Sequence, residues 1–299
     1  MLLVSYNIQY SLGQDGRYDL ERVLRAVRDA DIICLQEVER NWQRTGMTDQ
    51  PAMIQEMMAD RYCVYGSPFD ADASHHDALG RLVNRRRQFG QMTLSRWPIL
   101  AARAHIFPKL DTGQRFNTVT GALETVIDTP GGPLRLFNLH LSDAAMEERL
   151  IQIEHLMALL RRTSREGGIW NGVEGDPVHW QVVDPPPPMP AEAILLGDFN
   201  AEPGSPEYLA VTRGTVPGGA GTDGTVGDHY AFVDSWIAAG HHAQRGVTYR
   251  RNPAQSAHWD QRIDYCFLPL GMVSWLVGTR IDQNAIGSDH QPVWVELRG

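Results

Sequence analysis

The sequence predicts an α+β sandwich. Short apolar runs bounded by turn residues outnumber helical stripes, and they recur from one end of the chain to the other with no repeat period. No linker separates two composition regimes, so residues 1–299 are expected to form one domain. Nine runs read as strands: Leu2 to Ile8, Asp31 to Glu37, Arg61 to Gly66, Gln91 to Ser95, Thr118 to Ile127, Leu134 to His140, Ala193 to Asp198, Ile263 to Leu268 and Pro292 to Leu297.

Three helices stand out by periodicity or capping. Leu20, Val23, Leu24 and Val27 form an i, i+3, i+4, i+7 stripe behind Asp19, a natural N-cap. Met146, Leu150, Ile153, Met157 and Leu160 mark a longer helix, with Glu147 and Glu148 complementing the dipole at its start. Ser205-Pro206-Glu207 places a capping residue before proline at the first helical position. Plain core packing accounts for all three stripes. Ser74 to Gln88, Gly167 to Pro190 and Gly214 to Asp228 read as long loops, the second closing on the stiff run Pro185 to Pro188.

Composition excludes several classes. At 42% hydrophobic and 21% charged the chain is ordinary globular protein. No stretch approaches the ~20 apolar residues that a membrane-crossing helix needs. The opening MLLVSYNIQY is too short and too uncharged for a secretory signal and reads as a strand. Cys34, Cys63 and Cys266 form neither a CxxC pair nor a disulfide framework, so a reducing, cytoplasmic location is expected. The 27 basic residues, of which only Lys109 is lysine, are outnumbered by 36 acidic ones, and a net charge of −9 disfavours long nucleic acids as ligands.

Apolar strands repeatedly run out into polar residues of catalytic type. VSYN ends at Asn7, IICLQE at Glu37, LFNLH at His140, and AILLGDFN supplies Asp198 and Asn200. RIDYCF contributes Asp264, and GSDHQPV contributes Asp289 and His290 just before the last strand. If these ends converge, four carboxylates meet two imidazoles and two amides, a cluster that repels itself unless a cation compensates it. Oxygen and amide donors suit a hard divalent ion, Mg²⁺ first and Mn²⁺ next, and such ions commonly leave positions for water and phosphate. The chemistry points to phosphoryl transfer.

The ordered set SYN, LQE, NLH, GDFN, RIDY and SDHQPV, with LSRWPI at Leu94 to Ile99, resembles the endonuclease/exonuclease/phosphatase superfamily of DNase I-like phosphohydrolases. The resemblance extends from Asn7 to Pro292, and its weight lies in the order of all six elements, since each alone arises easily by chance. It implies a four-layer αββα sandwich, two mostly antiparallel sheets flanked by helices. It also implies a metal-dependent phosphodiesterase in which Glu37 is the principal metal ligand, supported by Asn7 and Asp289. Asp198 would orient or deprotonate the attacking water and Asn200 would hold the phosphate or that water. His290 would donate to a phosphate oxygen with Asp264 fixing its tautomer, and His140 would also contact the phosphate. One departure concerns His140: where relatives carry a supporting glutamate, this chain reads DTGQRFNTVTGALE. Arg115 and Asn117 occupy that neighbourhood, which leaves the general acid open and makes Arg115 a candidate phosphate clamp.

The expected substrate is a small-molecule or lipid-derived phosphodiester, with DNA or RNA cleavage, a phosphomonoesterase and an inactive binding protein as alternatives. Competing structural readings apply to several residues. Asp264 is placed to pair with Arg262, and the doublets His75-His76 and His241-His242 read as solvated. Arg81, Arg85, Arg86 and Arg87 read as a solvated basic loop or an anion contact, and Trp170, Trp180 and Trp259 as loop anchors.

Overall fold

Along the first strand, Val4, Tyr6 and Ile8 face one apolar layer while Leu3 faces another, so both sides of the strand are buried and its run of apolar residues is nearly continuous. The same division governs the whole chain. A computed structural model describes residues 1–298 apart from 112, 114, 115, 173–184, 215–230, 243–245 and 251–259. In chain order its elements are β1 (Leu2–Asn7), α1 (Leu20–Val27), β2 (Ile32–Arg40), α2 (Gln50–Met57), β3 (Tyr62–Asp72), β4 (His75–His76), β5 (Leu82–Val83) and β6 (Arg86–Ser95). They continue with β7 (Ile99–Ile106), β8 (Gly121–Thr129), β9 (Gly132–His140), α3 (Met146–Glu166), β10 (Ile194–Asp198), α4 (Pro206–Arg213) and β11 (Phe232–Asp234). The last are α5 (Ser235–Ala238), β12 (Asp264–Pro269), β13 (Leu276–Ile281) and β14 (Val293–Leu297).

Two six-stranded sheets have the orders β13-β14-β1-β2-β6-β3 and β11-β12-β10-β9-β8-β7. Each is antiparallel except for one central parallel pair, β1 with β2 and β9 with β10. The sheets enclose an inner layer of Leu3, Ile32, Cys34, Leu134, Leu136, Ile194, Leu196 and Cys266. Outside the first sheet lie Leu20, Val23, Leu24 and Val27 of α1 and Ile54 of α2. Outside the second, Ile153, Leu156, Met157 and Leu160 of α3 meet Ala210 and Val211 of α4. This is the expected αββα sandwich.

The three expected helices form with their caps: Asp19 accepts from the Arg22 amide, Ser205 from that of Tyr208, and α3 begins at Met146. The nine strands are present with shifted ends. Helix α2 is an element that periodicity does not predict, although Asp49 caps it and Pro51 stands in its first turn, because its eight residues carry little amphipathic signal. Strand β7 is likewise not predicted by periodicity, because it is a sheet edge whose Arg103 and His105 interrupt its apolar alternation. Strand β13 likewise forms an edge, and β11 is only three residues long.

The segment Ser74 to Gln88, expected as a long loop, is built on paired strands instead. Strands β3 and β6 pair out to Asp72 and Arg86, and β4 pairs with β5 beyond them, so backbone ladders organise most of this segment. The expected loop over Gly167 to Pro190 is described only at its ends, and residues 215–228 of the third lie outside the described residues, as do Trp180 and Trp259. No described helix is long and apolar enough to cross a membrane.

The outer face of the second sheet carries a buried ionic network. Glu124 accepts from Arg135 Nε at 2.7 Å and lies 2.7 Å from His105 Nε2, while Arg135 Nη2 donates to Thr163 of α3. Burial pushes the Glu124 carboxyl up, but His105 and Arg135 outweigh it and hold it below the usual glutamate range. Glu124→Gln removes the carboxylate that pairs with the buried Arg135 and is expected to cost about 3–5 kcal/mol by chemical denaturation. Because the native carboxyl binds its proton more weakly than the unfolded one, this difference is fully present above the ordinary glutamate range. It should shrink as the pH falls through the depressed native value. A gap between wild type and variant that widens in acid contradicts this account.

Candidate active site

Inward-facing residues repeat every second position, and on each central strand the last of them before the sheet edge is polar. Leu134 and Leu136 lead to Asn138 and His140, and Ile194 and Leu196 lead to Asp198. Parallel pairing sets His140 beside Asp198 and Asn7 beside Gln36. Antiparallel β12 enters the same edge from its start, placing Asp264 opposite Asp198, and β14 is preceded there by Asp289 and His290. All six sequence elements therefore meet at one edge.

Asn7 joins the halves of the cluster. Its Nδ2 donates to Glu37 Oε1 and to Asp198 Oδ2, both at 3.0 Å, while its Oδ1 accepts from the Gln9 amide. Gln9 Nε2 donates to Asp289 Oδ2 at 2.8 Å. Glu37 stands on a bulge: Leu35 faces Met92 and Val38 faces Gly90, so Gln36 and Glu37 share one partner position. Glu37 has φ +60, a left-handed conformation costing a non-glycine residue about 1–3 kcal/mol.

The GDFN turn is equally constrained. Gly197 has φ +148, and a Cβ there would sit 1.9 Å from the Leu139 carbonyl oxygen. Asn200, at φ +49, donates its amide N–H to Asp198 Oδ1 and its Nδ2 to the Leu141 carbonyl. Asparagine tolerates that conformation better than most residues.

His290 Nδ1 lies 2.8 Å from Asp264 Oδ2, and its Nε2 is 3.7 Å from Asp198 Oδ2. Burial would lower the affinity of the imidazole for its proton, but Asp264 and Asp198 outweigh it and raise it well above the ordinary histidine value. Burial raises the Asp264 carboxyl to about 6 against the pull of His290. Burial, with Glu37 adding to it, also pushes Asp289 up to about 6. The alternative partner for Asp264 is excluded: Arg262 pairs at 2.7 Å with Asp234, which also accepts from Tyr208. The serine of SDHQPV ties the last loop to β1, with Ser288 Oγ donating to the Asn7 carbonyl.

His140 Nε2 lies 3.2 Å from Asn200 Nδ2 and 3.5 Å from Asp198 Oδ2. Glycine, Gly121, stands opposite it on the preceding strand. Asn117 is committed elsewhere, donating to Glu148 and the Leu110 carbonyl. Arg115 lies outside the described residues.

Glu37, His140, Asp198, Asn200, Asp289 and His290 line one cleft of about 480 Å³. Its far wall was not legible from motifs. Trp42, Phe69 and Phe89 pack on one another, with Trp42 held by a hydrogen bond to the Gln88 carbonyl. The Arg44 guanidinium lies 3.7 Å over the Tyr10 ring and 4.5 Å from Trp42, and Glu39 accepts from both its Nε and Nη2. No periodic pattern singles these residues out, since they come from separate turns and strand ends. The histidine doublets are peripheral: His75 and His76 are exposed, and His241 stacks on Trp236. Arg81 and Arg86 are spent on Asp77 and Asp70.

Asp198, Asp264 and His290 place ligand-type atoms within 4.8 Å of one another, so the edge contains a buried acidic and imidazole cluster of the kind that a divalent cation could join. No curated protein sequence matches the chain. Among solved structures, an endonuclease/exonuclease/phosphatase from Beutenbergia cavernae superposes with TM-score 0.62 at 20% identity, covering 100% of this chain and 72% of its own. A mannosyl-6-phosphatase from Bacteroides thetaiotaomicron gives 0.60 at 16% identity, and a 3'-5' exonuclease from Neisseria meningitidis gives 0.58 at 16%, each covering 100% of both chains. These similarities establish the fold. The sequence profile of the Endonuclease/Exonuclease/phosphatase family matches residues 4–290, nearly the whole chain, and the chain therefore belongs to that family of phosphoester hydrolases.

Proposed function

We propose that residues 1–299 act as one cytoplasmic domain, a Mg²⁺-dependent phosphodiesterase that hydrolyses a small-molecule or lipid-derived phosphodiester by in-line attack of water. The observation that carries this reading is the Asn7 carboxamide, which binds Glu37 on one side and Asp198 on the other and so ties two motif carboxylates into one constellation. The donor set fits a hard divalent ion: oxygen-rich, backed by the Gln9 amide, and holding an Asp289 carboxyl whose proton affinity burial and Glu37 have raised. Glu37 and Asp289 would hold the ion with Asn7 beside them, and Mn²⁺ would serve in place of Mg²⁺. When bound, the ion supplies Lewis-acid stabilisation of charge on the phosphate oxygens.

The remaining steps belong to the protein. Asp198, its Oδ1 engaged by the Asn200 amide, accepts the proton of the attacking water as the new P–O bond forms and the bond to the leaving oxygen breaks. Asn200 holds the phosphate or the water in line. His290, protonated and oriented by Asp264, donates from Nε2 to a non-bridging oxygen. His140 contacts the phosphate from the neighbouring strand, and Arg115 is the candidate clamp.

Substrate size follows from charge and surface. Among the described residues lining the cleft, Arg44 is the sole arginine or lysine, and it is paired with Glu39, while Glu37, Asp143, Asp198 and Asp289 are all acidic. A polyanion gains little there, whereas one phosphate bearing an apolar or aromatic group meets Tyr10, Trp42, Phe69 and Phe89.

Two experiments test this reading. Asp198→Ala should lower kcat on an aryl phosphodiester by about 10²–10⁴-fold while circular dichroism shows a native fold, and unchanged turnover would overturn the mechanism. In the same assay, chelation of the wild type should abolish hydrolysis, with Mg²⁺ or Mn²⁺ restoring it. Second, the wild-type enzyme should turn over bis(4-nitrophenyl) phosphate faster than methyl 4-nitrophenyl phosphate, which has the same leaving group, and Trp42→Ala should narrow that preference. Efficient cleavage of plasmid DNA that falls steeply between low and physiological salt would instead make the protein a nuclease.

A further inference from the structure

Behind the cleft, and lining no part of it, lies a second group of fully buried polar side chains: Ser5, Gln36, Thr93 and Asn138. Gln36 and Ser5 belong to the first sheet and Asn138 to the second, so their hydrogen bonds cross the sandwich. We propose that Asn138 is a positioning residue for Glu37: its carboxamide holds open the bulge in β2 that turns Glu37 toward the cleft. The proposal rests on the reading of Glu37 as a metal ligand.

A bulge deprives backbone groups of their ladder partners, and a buried carbonyl left without a donor is costly. Here the carbonyls of the last regular pair before the bulge, Leu35 on β2 and Met92 on β6, both accept from Asn138 Nδ2, at 3.1 and 3.0 Å. Asn138 Oδ1 in turn accepts from Gln36 Nε2 at 2.7 Å, the side chain immediately before Glu37. Gln36 Nε2 also donates to Ser5 Oγ and to the Cys34 carbonyl, which fixes its direction. The position therefore needs a compact neutral group with two donor hydrogens and one acceptor. Aspartate offers no donor, and leucine offers neither.

The placement of Asn138 adds the second half. It lies two residues before His140 on β9 and pairs in register with Leu196, two residues before Asp198 on β10. One carboxamide thus fastens the backbone beside Glu37 to the strands that carry His140 and Asp198. Without it, β2 gains by regularising its pairing with β6. Regular pairing would remove the extra residue and send Glu37 toward the opposite face, since side chains alternate along a strand. A merely structural buried asparagine would stabilise the fold without favouring Glu37 over other residues.

The test is Mn²⁺ binding, followed through the electron paramagnetic resonance signal of the free ion, beside thermal melting of each variant. Asn138→Leu should weaken Mn²⁺ binding about 10- to 100-fold, as loss of a group that orients a metal ligand typically does. Gln36→Met, which leaves Asn138 in place but unlocks it, should shift binding in the same direction by less and covers the case in which Asn138→Leu fails to fold. Leu134→Ala empties part of the same inner layer far from the bulge and should lower the melting temperature while leaving Mn²⁺ affinity within about twofold of wild type. Glu37→Gln checks the underlying assignment. If it binds Mn²⁺ like wild type, Glu37 is not a ligand and both readings fall. If it loses Mn²⁺ while the folded Asn138 and Gln36 variants bind as tightly as wild type or Leu134→Ala, the positioning role alone is overturned.

Discussion

Everything at the functional edge depends on holding four carboxylates together against their mutual repulsion. Glu37, Asp198 and Asp289 face one cleft, and Asp264 stands directly behind His290. The protein offsets part of this charge with its own groups: His290, whose affinity for a proton Asp264 and Asp198 raise, lies between those two carboxylates, and the Asn7 and Gln9 amides turn their donors to Glu37, Asp198 and Asp289. The remaining strain shows in Asp289, whose carboxyl burial and Glu37 push up to about 6. A site with this balance favours a multiply charged cation over a lone proton, because one hard ion can neutralise several oxygens without requiring them to share a hydrogen.

The sandwich supplies the rigidity that such repulsion requires. Its inner layer is graded, apolar around Leu3, Ile32, Leu134 and Ile194 and polar toward Asn7, Gln36, Asn138 and Asp198. Apolar packing at one end fixes strand spacing, and directional hydrogen bonds at the other fix where each side chain points. The parallel pairs β1–β2 and β9–β10 matter here because they bring four strand ends to one edge, while the antiparallel strands β12 and β14 deliver Asp264 and His290 to it from their starts. Residues far apart in sequence thus become neighbours through strand pairing alone among these elements.

What the sequence disclosed follows from the same period of two. Strands buried on both faces appear as continuous apolar runs, and the polar residue that ends each run is visible as an interruption, which is why Asn7, Glu37, His140 and Asp198 could be picked out. Pairings between strands were not legible. Arg262 sits two residues from Asp264, yet it lies before β12 begins, where the strand alternation does not apply, and it turns over the Tyr265 ring to Asp234. The Trp42 and Arg44 wall was hidden for a different reason: it is assembled from a turn after β2, the β3–β6 ribbon and the turn after β1, and contact between turns leaves no periodic trace.

The bulge at Glu37 was hidden more deeply, because it contradicts local preference. Nothing in IICLQEVER announces a left-handed glutamate, and a regular strand would be the lower-energy conformation for that segment alone. Local cost is tolerated where the surroundings determine the geometry, and here they do so from three directions: the Asn7 amide holds the carboxylate, the Ile8 amide donates to the Gln36 carbonyl, and Asn138 donates to the carbonyls of the Leu35–Met92 pair where the bulge begins. Burying polar carboxamides between two sheets sacrifices apolar packing that leucine would have offered. The return is a carboxylate whose position is set by the fold before any ligand arrives, so that binding need not supply the energy of arranging it.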